Sequence, residues 1–277
     1  MARGFFMLSK NQEKWLKEGR GQGELADYKP WIKISDISSS GRSHRVFGHK
    51  TRRTHHLMSD LELAIFLFLE WNSKVIDIRE QFPLKFDETI EIAEYIQVKH
   101  PAIGGNIHVM TSDFYVVSSD KKFSQLALQA KYANELKKPR VIEKLEIERR
   151  YWNSKGIPWQ IVTEKDIPKA IQNNIKWLYP EVREDRSFDA QGNLIFYANE
   201  LAKYPDKKFI DLCKTIDTAY FHEAGKSLKE LRTLLGLRFF TFDLRIDFRK
   251  LKCNDIQISN SHYWELISEE LRYAANQ

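Results

Sequence analysis

Cysteine is scarce in this chain, which has only Cys213 and Cys253 among its 277 residues. Neither belongs to a Cys-x-x-Cys pair, so the pattern disfavours both a zinc ribbon and a disulfide framework. Two buried thiols in a reducing compartment are the expectation. No uninterrupted apolar run approaches the roughly 18 residues that a membrane span needs. The N-terminus also lacks the apolar stretch of a secretory signal, so the sequence predicts a cytoplasmic protein.

Internal repeats and low-complexity tracts are also absent, and a chain that is 42% hydrophobic and 30% charged is typical of folded globular proteins. Its length favours two domains.

The net charge of +6 is unevenly distributed, since residues 1–56 hold 12 Lys or Arg against 5 Asp or Glu, a net +7, which leaves −1 for the remainder. A basic segment ahead of a neutral body suits contact with nucleic-acid phosphates. A solvated basic tail explains the same pattern.

A mixed α/β layer is predicted in the middle of the chain. Its first helix is apolar on nearly every side, which predicts burial in a core. Alternating, β-branched or aromatic residues predict strands, and a proline start with a glycine stop predicts a later helix. The predicted order is helix 59–71, strands 107–117 and 124–131, helix 139–154, strand 157–162 and helix 164–178. Elements in this order form layers around one mixed sheet.

The predicted domain organisation has four segments. Residues 1–56 are a basic, loop-rich arm of the first domain, and residues 57–179 are that domain's core. Residues 180–193 are polar, charged and rich in turn formers, which predicts a linker. The remaining residues, 194–277, are compatible with a smaller winged-helix-like domain. Its predicted elements are helices near 194–203, 206–219 and 227–235 and a strand-rich segment at 237–248.

Three polar side chains in the two central strands are candidates for a catalytic site. Gln129 and Lys131 lie two residues apart, so they project from the same face of a strand. Asp113, on the preceding strand, meets them if the two strands pair. Any α/β protein can carry an Asp and a Lys on neighbouring strands, so spacing alone leaves this site a hypothesis.

Glu62, on the first predicted helix, is a fourth candidate. It lies in an apolar arc between Phe66 and Leu69, where an acidic side chain is costly unless it is paired or bound to a metal ion. The segment from Ser59 to Glu62 also fits a capping box, in which Glu62 reaches back to the start of the helix. Helical periodicity leaves both roles open.

Together these four residues suit the hydrolysis of a phosphodiester. The carboxylates of Glu62 and Asp113 and the amide oxygen of Gln129 are oxygen ligands of the kind that Mg²⁺ prefers. Such an ion polarises the phosphate and helps to generate hydroxide. Lys131 would orient the attacking water or stabilise charge at phosphorus.

Basic residues and histidines ahead of the first core helix are candidates for DNA contact. The histidines at 44, 49, 55 and 56 show no regular ligand spacing, which favours surface or DNA-facing roles over a zinc site. Phosphate contact is plausible for this run, and solvent exposure without DNA is the alternative. The candidates are Arg42, Arg45, Lys50, Arg52, Arg53, His55 and His56.

Ordered phrases along the chain resemble the TnsA family, the endonuclease subunits of heteromeric cut-and-paste transposases. The matching phrases are KEGRGQG (17–23), SSGRSHRVFGHKT (39–51), HHLMSDLELAIFLFLEW (55–71), DIREQFPL (77–84), TSDF (111–114), KLEIERRYW (144–152) and GIPW (156–159). The resemblance is dense over 10–180 and thinner over 205–255.

The resemblance implies a restriction-endonuclease-like fold of the PD-(D/E)xK class, in its Q-x-K variant. The family's catalytic glutamate, aspartate, glutamine and lysine fall on Glu62, Asp113, Gln129 and Lys131. Also implied are Mg²⁺, with Mn²⁺ as a substitute, and cleavage of the 5′ ends of a transposon. The implied partners are transposon-end DNA, a TnsB-like transposase and a TnsC-like AAA+ ATPase, acting in the cytoplasm on nucleoid DNA.

Glu148 lies in one of the matching phrases, and its role is open between a catalytic carboxylate and a solvated or salt-bridging helix residue.

Two other functions of the protein also remain open. A stand-alone restriction or repair nuclease would cut without partners. A non-catalytic scaffold would bind DNA or partner proteins and would have a broken active site, whereas all four positions are intact here.

Overall fold

The computed structural model describes residues 8–36, 42–103, 106–182 and 188–259. The chain divides into two compact units, Met1–Ile167 and Pro168–Gln277. This boundary precedes the linker predicted over 180–193, because the helix Lys169–Leu178 packs within the second unit. Part of that predicted linker lies outside the described residues. Among the described residues, no helix is long and apolar enough to cross a membrane.

The first unit is the mixed α/β layer that the sequence predicts. Its helices are α1 (Lys10–Lys17), α2 (Asp60–Trp71), α3 (Phe86–Tyr95) and α4 (Pro139–Ser154). Its strands are β1 (His44–Gly48), β2 (Arg53–Leu57), β3 (Val75–Pro83), β4 (Ala102–Ile103), β5 (Asn106–Ile107), β6 (Thr111–Ser118), β7 (Gln125–Ala130) and β8 (Trp159–Val162). The helices predicted at 59–71 and 139–154 are thereby confirmed.

The central sheet has the strand order β3-β6-β7-β8. β6 pairs antiparallel with both β3 and β7, whereas β8 runs parallel to β7. Parallel neighbours need a crossover connection, and α4 supplies it. The expected pairing of the two central strands is confirmed. The edge strand β3 and the helix α3 were not predicted.

Aromatic packing fixes the start of β6. The ring of Tyr115 stacks on Phe82 of β3 at 4.6 Å and on Trp152 of α4 at 5.5 Å between ring centroids. The indole Nε1 of Trp152 donates to the hydroxyl of Ser112 at 2.7 Å. Since Ser112 immediately precedes Asp113, the hydrophobic core holds that part of β6 in place.

The described residues of the N-terminal segment, 8–36 and 42–56, pack into the first unit and form more regular structure than the loop-rich arm predicted over 1–56. It contains α1 and the β1–β2 hairpin, in which the two strands pair antiparallel. Trp31 is 1% exposed, and Arg20 donates both to its carbonyl and to Asp36. Buried aromatic surface and internal ion pairs therefore stabilise this segment, and part of its positive charge is neutralised internally.

A buried ionic cluster joins the hairpin to β3. The carboxylate of Glu80 accepts from both terminal nitrogens of Arg53, at 2.8 and 2.6 Å, and lies 2.7 Å from Nδ1 of His55. Thr51 lies 2.7 Å from the other nitrogen of His55. Burial alone would raise the pKa of Glu80, but His55 and Arg53 outweigh it and lower that pKa to about 2. The expectation that Arg53 and His55 face DNA is wrong, because both are buried against Glu80.

The second unit is mainly helical. Its elements are α5 (Lys169–Leu178), α6 (Ala190–Lys203), α7 (Phe209–Ala219), α8 (Lys226–Gly236), β9 (Phe240–Thr241) and β10 (Gln257–Ile258). β9 and β10 pair antiparallel. The strand-rich segment predicted at 237–248 is a strand only at β9, and Asn174 holds the turn that follows by donating to the carbonyls of Leu244 and Ile246. Cys213 and Cys253 are buried free thiols, as predicted.

Substituting Glu80→Ala is expected to lower the free energy of unfolding by about 3–5 kcal/mol, because it leaves the guanidinium of Arg53 buried without its partner. Urea unfolding followed by tryptophan fluorescence measures the loss. Glu91→Ala, at an exposed position of α3, is the control and is expected to change stability by less than about 0.5 kcal/mol. A loss for Glu80→Ala as small as the control would contradict a stabilising cluster.

Candidate active site

Glu62 lies in the first turn of α2 and is 6% exposed. The hydroxyl of Ser59 accepts the main-chain N–H of Glu62 at 3.1 Å and donates to Oε1 of the same residue at 3.1 Å. The other oxygen, Oε2, accepts the N–H of Met58 at 2.8 Å. Glu62 therefore caps the helix, but its carboxylate accepts the N–H of Met58 rather than that of Ser59, which the predicted capping box would use. The same contacts fix the position of its carboxylate.

The strands β6 and β7 separate next to Asp113. Their ladder ends at the pair Phe114–Leu128. Beyond that pair, Oδ2 of Asp113 accepts the N–H of Ala130 at 2.8 Å, and Oε1 of Gln129 accepts the N–H of Asp113 at 3.1 Å. Side chains thus replace the main-chain hydrogen bonds where the sheet opens, and Asp113 and Gln129 are fixed at that opening.

Lys131 follows the last residue of β7. Its ammonium Nζ lies 3.9 Å from Oδ2 of Asp113 and donates to the carbonyl of Ala130 at 2.9 Å. Its side chain is 27% exposed, compared with 12% for Asp113. The lysine is therefore the more exposed of these two charged groups.

Gln81 of β3 links the two carboxylates, a contact that no pattern in the sequence indicates. Its Nε2 donates to Oε2 of Glu62 at 3.4 Å and to Oδ1 of Asp113 at 3.3 Å. Its Oε1 accepts the hydroxyl of Thr111 at 3.2 Å. The structure therefore brings together Glu62, Asp113 and Lys131, with Gln129 against the backbone of Asp113.

The electrostatics of the site are those of two neighbouring carboxyl groups that are both buried. The pKa of Glu62 is raised to about 8, first because burial removes its carboxylate from water and then because Asp113 is close. Hydrogen bonds from Met58 and Ser59 act in the opposite direction. A cation bound between the two acids would favour the ionised form of both.

Glu148 of α4 lies beside this site and is 2% exposed, which excludes the solvated role considered for it. Its Oε1 accepts from the hydroxyl of Ser112 at 2.6 Å and from Nε1 of Trp159 at 2.8 Å. Burial raises the pKa of Glu148 to about 8. At neutral pH its carboxyl group is therefore mostly protonated, and it joins α4 to the residue before Asp113.

The donor set fits a hard divalent cation. Glu62 and Asp113 would contribute carboxylate oxygens and Gln129 an amide oxygen, and such ions are bound by oxygen ligands. Among the described residues, no group of three or more His, Cys, Asp or Glu side chains could hold a metal ion. The fit therefore rests on two carboxylates supplemented by neutral oxygens.

The remaining candidates for DNA contact differ in exposure. On the hairpin, Arg45 lies across from His56 and is exposed, whereas His56 is half-buried and its Nδ1 accepts the N–H of Ile34. Burial lowers the pKa of His56. Arg42 and Arg52 are exposed and Lys50 is half-buried. Among these candidates, the exposed residues are thus Arg42, Arg45 and Arg52, and the partly exposed ones are Lys50 and His56.

A mixed sheet that brings two buried carboxylates, an amide and a lysine together is typical of restriction-endonuclease-like nucleases. The family model described as TnsA-like endonuclease N terminal matches residues 72–164, and that described as TnsA endonuclease C terminal matches residues 166–244. The chain is 48% identical over 261 residues to the Transposon Tn7 transposition protein TnsA of Escherichia coli, an alignment that covers 94% of each protein. The chain therefore belongs to the TnsA family.

The predicted endonuclease activity is confirmed by this membership. The family also implies a requirement for a divalent metal ion. The N-terminal model spans Asp113, Gln129 and Lys131 but begins after Glu62, whereas the similarity to the Escherichia coli protein extends over most of the chain. The endonuclease activity of the family argues against the alternative of a scaffold without catalytic activity.

Substituting Glu148→Gln is expected to stabilise the protein increasingly as the pH rises. The pKa of Glu148 is about 8 in the folded protein and near 4.5 in the unfolded chain, so between these values only the folded state retains the proton. Stability of the parent protein then falls as pH rises, and glutamine removes that dependence. Between about pH 5 and pH 8 the variant should gain at least about 1 kcal/mol relative to the parent protein.

Thermal unfolding at both pH values measures this gain. Glu91→Gln, at an exposed position, is the control and should show a constant difference from the parent protein. A pH-independent difference for Glu148→Gln would mean that Glu148 is ionised in the folded state.

Proposed function

We propose that this chain hydrolyses the 5′ ends of a transposon, the non-transferred strands, at the site of Glu62, Asp113, Gln129 and Lys131. The observation that carries the proposal is the pair of buried carboxylates at the opening between β6 and β7, bridged by Gln81. The similarity to the Escherichia coli protein, which is named as a transposition protein, supports transposon DNA as the substrate.

We further propose Mg²⁺ as the metal ion, with Mn²⁺ able to substitute, held by Glu62, Asp113 and Gln129. When bound, such an ion polarises the scissile phosphate and lowers the pKa of a water molecule. Glu62 and Asp113 supply the negative charge that holds it. The amide oxygen of Gln129 supplies a neutral ligand, and its hydrogen bond to the N–H of Asp113 keeps both residues in register.

Lys131 has the role of an electrostatic stabiliser in this proposal. Its ammonium group lies near Asp113 but is more exposed, so it can contact a phosphate oxygen while the carboxylate stays buried. Positive charge placed where negative charge develops at phosphorus lowers the barrier to hydrolysis. The same group can orient the attacking water.

The β1–β2 hairpin is proposed as a DNA-contacting element. Its exposed face carries Arg45 next to His56, and β2 leads directly through Met58 into the turn that holds Glu62. The proposed DNA-contacting face is therefore joined to the turn that holds Glu62 by only a few residues. Arg42, Lys50 and Arg52 extend the same positive charge.

Partner proteins belong to the proposal as well. A TnsB-like transposase would cut and join the 3′ ends, and a TnsC-like ATPase would regulate the pair in the cytoplasm. A stand-alone nuclease is the second candidate, and it predicts cleavage of random DNA without partners. Cleavage assays with and without the partner proteins separate the two.

Asp113→Asn is expected to lower 5′-strand cleavage by at least about a hundredfold, because it removes one charge from the proposed metal site and leaves the side-chain shape unchanged. The measurement is cleavage of strand-labelled transposon-end DNA with Mg²⁺, with and without the transposase and the ATPase. Asp87→Asn, an exposed acid on α3, is the control and should cleave at the parent rate. Unchanged 5′ cleavage by Asp113→Asn would contradict the site.

Arg45→Ala is expected to weaken binding to duplex DNA several-fold and to reduce the slope of log K against log salt by about 0.9, the value for one lost phosphate contact. Fluorescence anisotropy over a salt series gives both quantities. Lys122→Ala is the matched control, since Lys122 lies in the loop at the opposite end of β6 and β7 from Asp113. Equal effects of the two substitutions would argue against a DNA-contacting hairpin.

A further inference from the structure

Gln81 adopts an unusual backbone conformation in the middle of a strand. Its φ is +48°, in the left-handed region, although it is not glycine and is only 4% exposed. The backbone of residues other than glycine is strained in this region. The residue lies in β3 between the pairs Glu80–Phe114 and Phe82–Ser112. A strained residue that is held at such a position suggests that its side chain has a function.

Contacts on three sides hold Gln81 in this conformation. Its carbonyl accepts the main-chain N–H of Trp31 at 3.2 Å, and the preceding carbonyl, of Glu80, accepts the hydroxyl of Tyr28 at 3.1 Å. Its side-chain oxygen accepts from Thr111 at 3.2 Å. Because Thr111 occupies the oxygen, the amide nitrogen faces the two carboxylates. The direction of the amide is thus set by the N-terminal segment and by β6.

The amide nitrogen lies within 3.4 Å of Glu62 and 3.3 Å of Asp113, one N–H for each acid. Those acids repel each other, since Asp113 raises the pKa of Glu62. A neutral amide supplies two donors without positive charge. An arginine or lysine in its place would neutralise the acids and compete with a cation, and a glutamate would add a third repelling charge.

We propose that Gln81 is a positioning residue that holds Glu62 and Asp113 at the separation at which both bind one divalent cation. The inference rests on the proposed function, in which these acids are metal ligands. Each carboxylate oxygen accepts more than one interaction, so the amide contacts remain when the ion is bound. The left-handed backbone is the cost of directing the amide between the two acids.

Two substitutions separate the amide from the backbone strain. Gln81→Met keeps the side-chain length and the strain but removes both donors. Gln81→Gly relieves the strain and also removes the donors. If the amide positions the acids, both variants lose about tenfold in Mn²⁺ affinity, the lower end of the effect of removing groups that orient metal ligands. The glycine variant should nonetheless unfold within a few degrees of the parent Tm.

The measurements are Mn²⁺ binding by calorimetry to the full chain without DNA, and thermal unfolding of the same samples. Gln97→Gly is the matched control, because Gln97 is exposed, lies after α3 and has a φ of +57°. It should keep the parent Mn²⁺ affinity and show what strain relief alone does to Tm. Raising the Mn²⁺ concentration should restore DNA cleavage by both Gln81 variants.

Mn²⁺ affinity of Gln81→Gly within twofold of the parent protein would overturn the proposal, as would a change in Tm without a change in affinity. Asp113→Asn distinguishes this failure from failure of the site itself. If Asp113→Asn loses Mn²⁺ binding while the Gln81 variants keep it, only the role of Gln81 is wrong. If Asp113→Asn binds Mn²⁺ like the parent protein, the metal site is wrong and the role of Gln81 is wrong with it.

Discussion

Repulsion between two carboxylates held together away from water is the constraint on which the rest of this nuclease unit depends. Burial and mutual charge disfavour ionisation of Glu62 beside Asp113. The groups that donate to these acids are main-chain N–H groups, a hydroxyl and the amide of Gln81. Apart from Lys131, whose ammonium group lies 3.9 Å from Asp113, these donors are neutral and do not cancel the charge of the ionised acids. A bound cation would therefore favour the ionised form of both.

The surrounding architecture supplies those donors from separate elements. The helix cap at Ser59 orients Glu62, and the opening of the sheet places the N–H of Ala130 against Asp113. The N-terminal segment holds β3 through Trp31 and through the buried cluster around Glu80. The segment that the sequence indicated as a basic arm thus partly supports the candidate active site, and its exposed hairpin face carries the proposed DNA contacts.

The sequence predicted the parts of the fold that have strong local patterns. Helix α4 has a proline start and apolar periodicity, and β6 and β7 alternate, so their positions followed directly. β3 was not predicted, because its charged residues are buried by ion pairs with the distant hairpin rather than by an apolar pattern. The extent of strand structure in residues 237–248 was overestimated, because Asn174, far away in sequence, holds the residues after β9 in turns.

Four site candidates could be named from residue types, spacing and the family resemblance, but Gln81 could not. Nothing in the letters DIREQFPL reveals a left-handed backbone or an amide directed at two acids. The errors at Arg53 and His55 have the same origin, since a basic residue in a run looks exposed until its buried partner is known. Sequence patterns therefore located the acids, and only the three-dimensional contacts explained how they are held together.

The most direct measurement is anomalous diffraction from crystals of the full chain grown with Mn²⁺. A shared metal site predicts one strong peak within about 2.0–2.2 Å of a carboxylate oxygen of both Glu62 and Asp113, as expected for a small divalent ion. The amide nitrogen of Gln81 should still lie within hydrogen-bonding distance of both acids. A metal ion bound by Asp113 without Glu62, or a peak elsewhere, would contradict the shared site.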